Sequence, residues 1–452
     1  MNLKKTKFYK KYIEKRPTRL ILFMYLAVIL VGTILLILPI SSKDRVFTRP
    51  LDAAFTAVSA TCVTGLVTLT SAIHWSSFGK IVIITLIQLG GLGVMTAASF
   101  ISILLNKRFT ISDRLHLSEE RNTMSISGII RMVKFVLAST FLLEAIGAIF
   151  LSFSFIPEFG LGKGIAYSIF HSISAYCNAG FDIIGNDSLA PYATNVNVSL
   201  VVSFLIILAG LGYPVFIDLK ENKFNYKKYK LHTKLVLIMT TILLVVPTVL
   251  FIAIEYNNPQ TLGKYSFFNK ILVAFFQSTT LRTAGFYTSP QALYMNASAV
   301  LMVLLMFIGG SPAGTAGGFK TTSFLSLFII TKSNVNQDKE FNVFNKRLPK
   351  DTGVEVTSIF TISMAWIVTA IFLVSLVEVN MSNLDIIYEV ISAYGTVGLT
   401  RGITPNLHGF SKLVIMATML FGKIGPLSII VALSRKNPSK SYKLQEENIL
   451  IG

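Results

Sequence analysis

Glycine recurs at one place in four similar phrases: FTAVSATCVTGL from Phe55, FHSISAYCNAGF from Phe170, FFQSTTLRTAGF from Phe275 and YEVISAYGTVGL from Tyr388. The eleventh residues are Gly65, Gly180, Gly285 and Gly398, separated by 115, 105 and 113 residues. Each phrase opens on an aromatic residue, carries a hydroxyl at its fifth position (Ser59, Ser174, Thr279, Ser392) and closes on Leu or Phe. Glycine reaches positive φ without steric cost, so a short segment containing it turns its carbonyl oxygens easily to one side. Carbonyl oxygens gathered from several such segments replace the water around a bare monovalent cation. Removing that water without replacement costs on the order of tens of kcal/mol. The chemistry that suits these phrases is therefore cation coordination by backbone, from four copies of one element. A plainer reading makes each glycine a helix C-cap, but capping alone does not require the aromatic and hydroxyl positions to recur.

The elements that position the phrases follow from composition. Hydrophobic residues make up 52% of the 452, charged residues only 14%, and mean hydropathy is +0.64. A soluble domain is about 25% charged, so this is an integral membrane protein. Apolar runs predict eight spanning helices, near 20–38, 80–104, 129–153, 196–219, 234–254, 296–331, 355–377 and 410–434. The stretches opening the phrases, near 51–60, 165–175, 267–280 and 384–393, are too short to cross and predict re-entrant half-helices. The fold class expected is an all-α polytopic membrane protein: four pseudo-fourfold helix, pore-loop, helix repeats around one central pore. The repeats run 20–106, 107–220, 221–332 and 333–434, between a basic arm, 1–19, and a tail, 435–452.

Of the 41 Lys and Arg, 29 lie in the N-terminal arm, the loops 106–134, 220–234 and 332–350, and the tail. Alternating helices put all of these on one side, which the positive-inside rule makes the cytoplasm. The phrases then enter from outside a cell membrane, and each half-helix directs its partly negative C-terminal end toward the membrane centre. The net charge of +19 is this bias. Nucleic-acid binding is not expected, since no stretch outside the spans is long enough for a basic soluble domain. The basic side also suits an acidic cytoplasmic partner or anionic lipid. Enzyme motifs are missing: no Gly-x-Ser-x-Gly, H-E-x-x-H or phosphate-binding G-x-x-x-x-G-K-[ST]. Without an ATP or phosphoryl-aspartate site, the electrochemical gradient is the expected driver. The five histidines are too scattered for metal ligation. A Na+- or H+-coupled secondary transporter is the alternative, since such proteins also use repeats and broken helices.

With S-x-x-x-x-x-G-[LF] in the loops and TLRTAGF in the third, the chain resembles the Trk/Ktr/HKT potassium-transporter superfamily, most of all the membrane subunit of a bacterial Ktr system. That resemblance runs roughly from Leu20 to Arg435. It implies K+ uptake through a gated, channel-like pore, often influenced by Na+, with no other cofactor in this chain. It also implies a homodimer on a cytoplasmic ring of nucleotide-binding regulatory subunits. Residue by residue, it assigns ion coordination to Thr61, Cys62, Val63, Thr64 and Gly65; to Tyr176, Cys177, Asn178, Ala179 and Gly180; to Leu281, Arg282, Thr283, Ala284 and Gly285; and to Tyr394, Gly395, Thr396, Val397 and Gly398. Three of these loops have one glycine where a TVGYG filter has two, so fewer freely turned carbonyls and fewer ion sites are expected.

The run GGSPAGTAGG comprises Gly309, Gly310, Ser311, Pro312, Ala313, Gly314, Thr315, Ala316, Gly317 and Gly318. It interrupts an apolar stretch, 296–331, that as one helix would run roughly 54 Å, well beyond a hydrocarbon core of about 30 Å. Two half-helices joined by a loop near mid-membrane are expected. The resemblance makes that loop a gate below the filter; a passive kink is the other reading. Arg282 is expected to point behind the third loop and brace it, because a guanidinium facing the ion would repel it. Lys423, beside a Gly-Pro break, either pins carbonyls of the gating loop or satisfies carbonyls of its own broken helix. Lys320 is expected to snorkel. Glu144, within a span, needs either water or an interhelical partner.

Overall fold

The computed structural model describes residues 17–433 except 95, 98, 100–116, 119–128, 224, 339 and 350. The expected basic arm up to residue 16, most of the loop 106–134, the end of the span 80–104 and the tail 435–452 lie outside the described residues.

Helix α1 (Pro17–Ile37) opens on proline, whose fixed φ suits a first turn, and runs as apolar sequence. Next come α2 (Pro50–Cys62), also opening on proline, and α3 (Ser77–Leu92), whose N-cap Ser76 accepts from Gly79 N. The long α4 (Ile129–Tyr176) bends at Gly160 (φ 76°), just after Pro157. After it follow α5 (Val196–Leu211), α6 (Tyr213–Asn222), α7 (Leu231–Glu255), α8 (Phe267–Thr280), α9 (Asn296–Phe307) and α10 (Thr321–Val335). A two-residue-per-strand hairpin, β1 (Asn342–Val343) with β2 (Lys346–Arg347), leads to α11 (Asp351–Val377), α12 (Asn383–Gly395), α13 (Gly409–Ile424) and α14 (Pro426–Leu433).

Four described helices are long and apolar enough to cross a membrane by themselves, α1, α4, α7 and α11, or six if each bent pair counts as one span. Much of their outer surface is apolar and exposed, as at Leu30, Phe153, Val249 and Phe372. Two second helices read as unbroken are corrected: the run 80–104 breaks at Gly93 (φ 82°) and 196–219 at Gly212 (φ 84°), whereas 410–434 breaks at Gly425 (φ 93°), the Gly-Pro site where a break was expected. The last two breaks bend the chain by 90° and 99°. Hydropathy does not register such a break, because the residues on both sides of each glycine stay apolar. The interruption of 296–331 falls where expected, between α9 and α10. The half-helix near 165–175 is the last part of the run Ile129–Tyr176, set off from the first leg by the non-helical Gly160 (φ 76°).

Packing runs in a circuit. The helix after each phrase lies against the helix that opens the next phrase: α3 on α4, α5 on α8, α9 on α12, and α13 back on α2. The α13–α2 closure carries an ion pair, Lys412 Nζ to Asp52 Oδ1 at 3.0 Å, with only 12% and 11% of the two side chains exposed. Removing one member strands the other where water reaches it poorly. Lys412→Met is expected to destabilise the protein by about 2 kcal/mol, and Asp52→Asn added to it should restore part of the loss, read by thermal unfolding in detergent.

Candidate functional site

The four phrases meet. All twenty residues at positions seven to eleven of the phrases are buried. In phrases one, two and four the opening helix ends in the same two bonds. The ninth residue donates to the sixth (Val63 N to Ala60 O, Asn178 N to Ala175 O, Thr396 N to Ala393 O), and the tenth donates to the fifth (Thr64 N to Ser59 O, Ala179 N to Ser174 O, Val397 N to Ser392 O, each 2.8 Å). This double closure usually places glycine at the left-handed position. Here that position is Val63 (φ 56°), Asn178 (φ 59°) or Thr396 (φ 50°), and Thr283 (φ 64°) in the third phrase. Each loop thus has two residues of positive φ, the ninth and the eleventh, although only the eleventh is glycine throughout. The expected shortage of turned residues is corrected: a non-glycine side chain occupies the ninth position at a cost of about 1–3 kcal/mol of backbone strain.

What requires glycine at the eleventh position is the neighbouring loop. A Cβ on Gly65 would lie 2.5 Å from Ala179 O, on Gly180 2.6 Å from Ala284 O, on Gly285 2.7 Å from Val397 O, and on Gly398 2.0 Å from Thr64 O. The order is cyclic, each glycine admitting the tenth carbonyl of the next loop. Hydroxyls close the turns. Ser59 and Ser392 accept from Gly65 N and Gly398 N at 3.1 Å, and Ser174 donates to Phe181 O at 2.7 Å. The third loop differs: Thr279 bonds back to Phe275 O, and Thr280, one residue later, donates to Phe286 O. Gly395 is not one of the turned residues; a Cβ there would lie 2.3 Å from Met306 O, so its role is close packing on α9. Thr61 Oγ1, Thr64 Oγ1 and Asn178 Oδ1 are buried without a hydrogen-bond donor among the described residues.

Glycines of the second helices admit the loops from behind. A Cβ on Gly90 or Gly422 would come within 1.9 Å of Thr61 O or Tyr394 O. Sequence reasoning missed both, although the spacing GGLG and GKIG at the ends of α3 and α13 carried the signal. Beside three of the breaks lies a cavity of 510 Å³ lined among others by Gly93, Ala313, Thr315, Lys320, Lys423 and Gly425.

Residues 309–318 cross beneath the ring. The neck is closed by Gly309 N to Phe319 O at 2.9 Å and Thr321 N to Gly310 O at 3.1 Å. One side rests on the α5 break through Ser311 N to Gly210 O at 3.0 Å and Tyr213 N to Ala313 O at 3.3 Å. The other reaches α13 through Gly318 N to Gly422 O at 3.1 Å. Its upper face meets the ring: Thr315 Oγ1 lies 3.4 Å from Tyr176 O, and Gly317 packs under Thr396. Lys423 Nζ donates to Thr315 O at 2.7 Å, a carbonyl within residues 309–318. Lys320 does not snorkel; its Nζ donates to Ala316 O at 2.7 Å. Arg282 lies beside α7 and α5, with Nη2 3.4 Å from Thr240 Oγ1, while its Nε and Nη1 have no hydrogen-bond partner among the described residues.

Comparison with known proteins agrees with this geometry. The family model TrkH, described as a cation transport protein, matches residues 9–445. The potassium/sodium uptake protein NtpJ of Enterococcus hirae is 39% identical over 98% of this chain and 99% of its own length. The Ktr system potassium uptake protein B of Bacillus subtilis is 36% identical over 97% of each. The crystal structure of the potassium transporter TrkH from Vibrio parahaemolyticus has the same fold, with a TM-score of 0.70 over 92% of this chain and 84% of that one, at 19% identity.

Gly422→Ala is expected to force the Tyr394 backbone away from α13 and to destabilise the protein by about 1–3 kcal/mol. Gly162→Ala, with no atom within 4 Å of the added methyl, is the neutral control. Detergent melting of the two variants side by side measures the difference.

Proposed function

This chain belongs to the TrkH family of cation transport proteins, a multi-pass membrane family rather than an enzyme family, and on that premise we propose that it takes up K+ through a gated pore whose filter is the four-loop ring. The observation that carries this reading is the cyclic approach of Thr64 O, Ala179 O, Ala284 O and Val397 O to the four glycines. Oxygens so arranged give a dehydrated cation its ligands without any side-chain charge. The helices that open the phrases end at the ring, so the partly negative ends of their dipoles favour a cation there. On this reading the architecture is the pseudo-fourfold one, with eight spans, three or more of them broken, and four re-entrant half-helices. The basic loops and both termini face the cytoplasm. The relatives' names, potassium/sodium uptake and Ktr system, support K+ as the cargo, with Na+ as a further transported or regulatory ion. The words Ktr system support a protein that works with further subunits, which on this proposal are a second copy of the chain and a cytoplasmic nucleotide-binding regulatory ring.

Residues 309–318 serve as the gate. The loop occupies the path between ring and cavity, and Lys423 ties it down through Thr315 O. An ammonium there also places a positive charge on the route, which opposes cation passage until the loop moves.

Expression in a bacterium lacking its own K+ uptake, with the regulatory partner supplied, should restore growth at low external K+. Gly65→Ser and Gly285→Ser should each lower uptake about tenfold or more. No K+ flux from the wild-type chain under these conditions overturns the reading. Deleting 310–317 should raise resting flux several-fold; unchanged flux would leave the loop a hinge.

A further inference from the structure

Glu144, 5% exposed, sits mid-way along the first leg of α4, before the bend at Gly160 that leads to the second phrase. A carboxyl at such depth is expensive, and one kept there generally has a partner and a task. Its Oε1 accepts from Gln88 Nε2 of α3 at 3.0 Å and lies 3.8 Å from the sulfur of Cys177. Cys177 Sγ is also 3.9 Å from Gln88 Oε1. The Glu144 backbone carbonyl meanwhile accepts from Ser172 Oγ at 2.6 Å, about one turn before the end of the run at Tyr176. On the remaining side is Gly91, where a Cβ would lie 2.4 Å from Cys177 Sγ. Cys177 is therefore seated in a socket made by Glu144, Gln88 and Gly91, at the junction of α3 with α4.

The residues on either side of Cys177 shape the second loop and its contact with residues 309–318. Tyr176 O meets Thr315 of the gating loop, and Asn178 takes the left-handed conformation that turns the second loop. Among the described residues the other eighth positions differ: the Cys62 thiol is buried with no hydrogen bond, Arg282 reaches only Thr240, and Gly395 has no side chain. Resting on the pore reading above, we propose that Glu144 is a positioning residue for the second filter loop. By gripping Cys177 through its hydrogen bond with Gln88, it sets the spacing of that loop's carbonyls and so the preference for K+ over Na+. The grip requires an oxygen acceptor at the end of residue 144, which a neutral amide also supplies.

K+ and Na+ uptake are compared in liposomes containing the purified full-length protein. Glu144→Leu and, independently, Gly91→Ala should lower the K+/Na+ uptake ratio at least fivefold, whereas Glu144→Gln should keep it within twofold of wild type. Gln88→Leu carries the same prediction and serves if Glu144→Leu does not fold. A purely packing role would reduce yield without moving the ratio or discriminating Gln from Leu. Folded Glu144→Leu or Gln88→Leu with an unchanged ratio overturns the proposal, as does Glu144→Gln failing as badly as Leu. Wild-type protein without K+ flux overturns the pore reading and this inference together; an active wild type with indifferent variants overturns this inference alone.

Discussion

Neighbouring backbones in this molecule approach to distances that leave no room for a β-carbon. At Gly65, Gly180, Gly285 and Gly398 the gap to the next loop's carbonyl oxygen is at most 2.7 Å from an ideal Cβ position. Real Cβ atoms are not found so close to oxygen, so any other residue would open the ring. The same limit applies behind the ring, where Gly90 and Gly422 let α3 and α13 touch the first and fourth loops. These approaches bring the tenth-residue carbonyl oxygens of Thr64, Ala179, Ala284 and Val397 each against the glycine of a neighbouring loop. The strain at Val63, Thr283 and Thr396, about 1–3 kcal/mol each, is held by the helix-ending bonds and complete burial around them.

Broken helices are the second consequence. An unbroken helix after each phrase would fill the space under the ring. Positive φ at Gly93, Gly212 and Gly425 turns the chain aside, the first and last beside a cavity, and it frees carbonyls that an intact helix would have bonded. Residues 309–318 take up some of these, accepting and donating across from the α5 break to α13. The two lysines saturate successive carbonyls of that loop, Thr315 O and Ala316 O. A single segment thereby senses the second loop, the fourth loop and two broken helices at once.

The four quadrants are nevertheless unequal. The third helix closes one residue later, with Thr280 replacing Thr279 as the turn's hydroxyl. Behind it stands a guanidinium with a single hydrogen bond, and behind the second stands a carboxyl that holds a thiol. On the proposed pore reading, an ion at the centre would meet similar backbone from every side but different fields from the walls.

The four phrases, their glycines and the near-even spacing were legible in the chain as written, because close backbone approach tolerates one residue type and so leaves a local mark. The short helices that open the first, third and fourth phrases and the interruption at 309–318 were legible too, since length against membrane thickness is simple arithmetic. Breaks at Gly93 and Gly212 escaped, as their apolar flanks hide them from hydropathy. So did the turned conformations of Val63, Asn178, Thr283 and Thr396, because local propensity argues against left-handed valine and threonine and only surrounding packing imposes it. Which carbonyl faces which glycine, and that Glu144 meets Gln88 56 positions away, depend on the circuit of helices closing, a long-range event that no window of sequence contains.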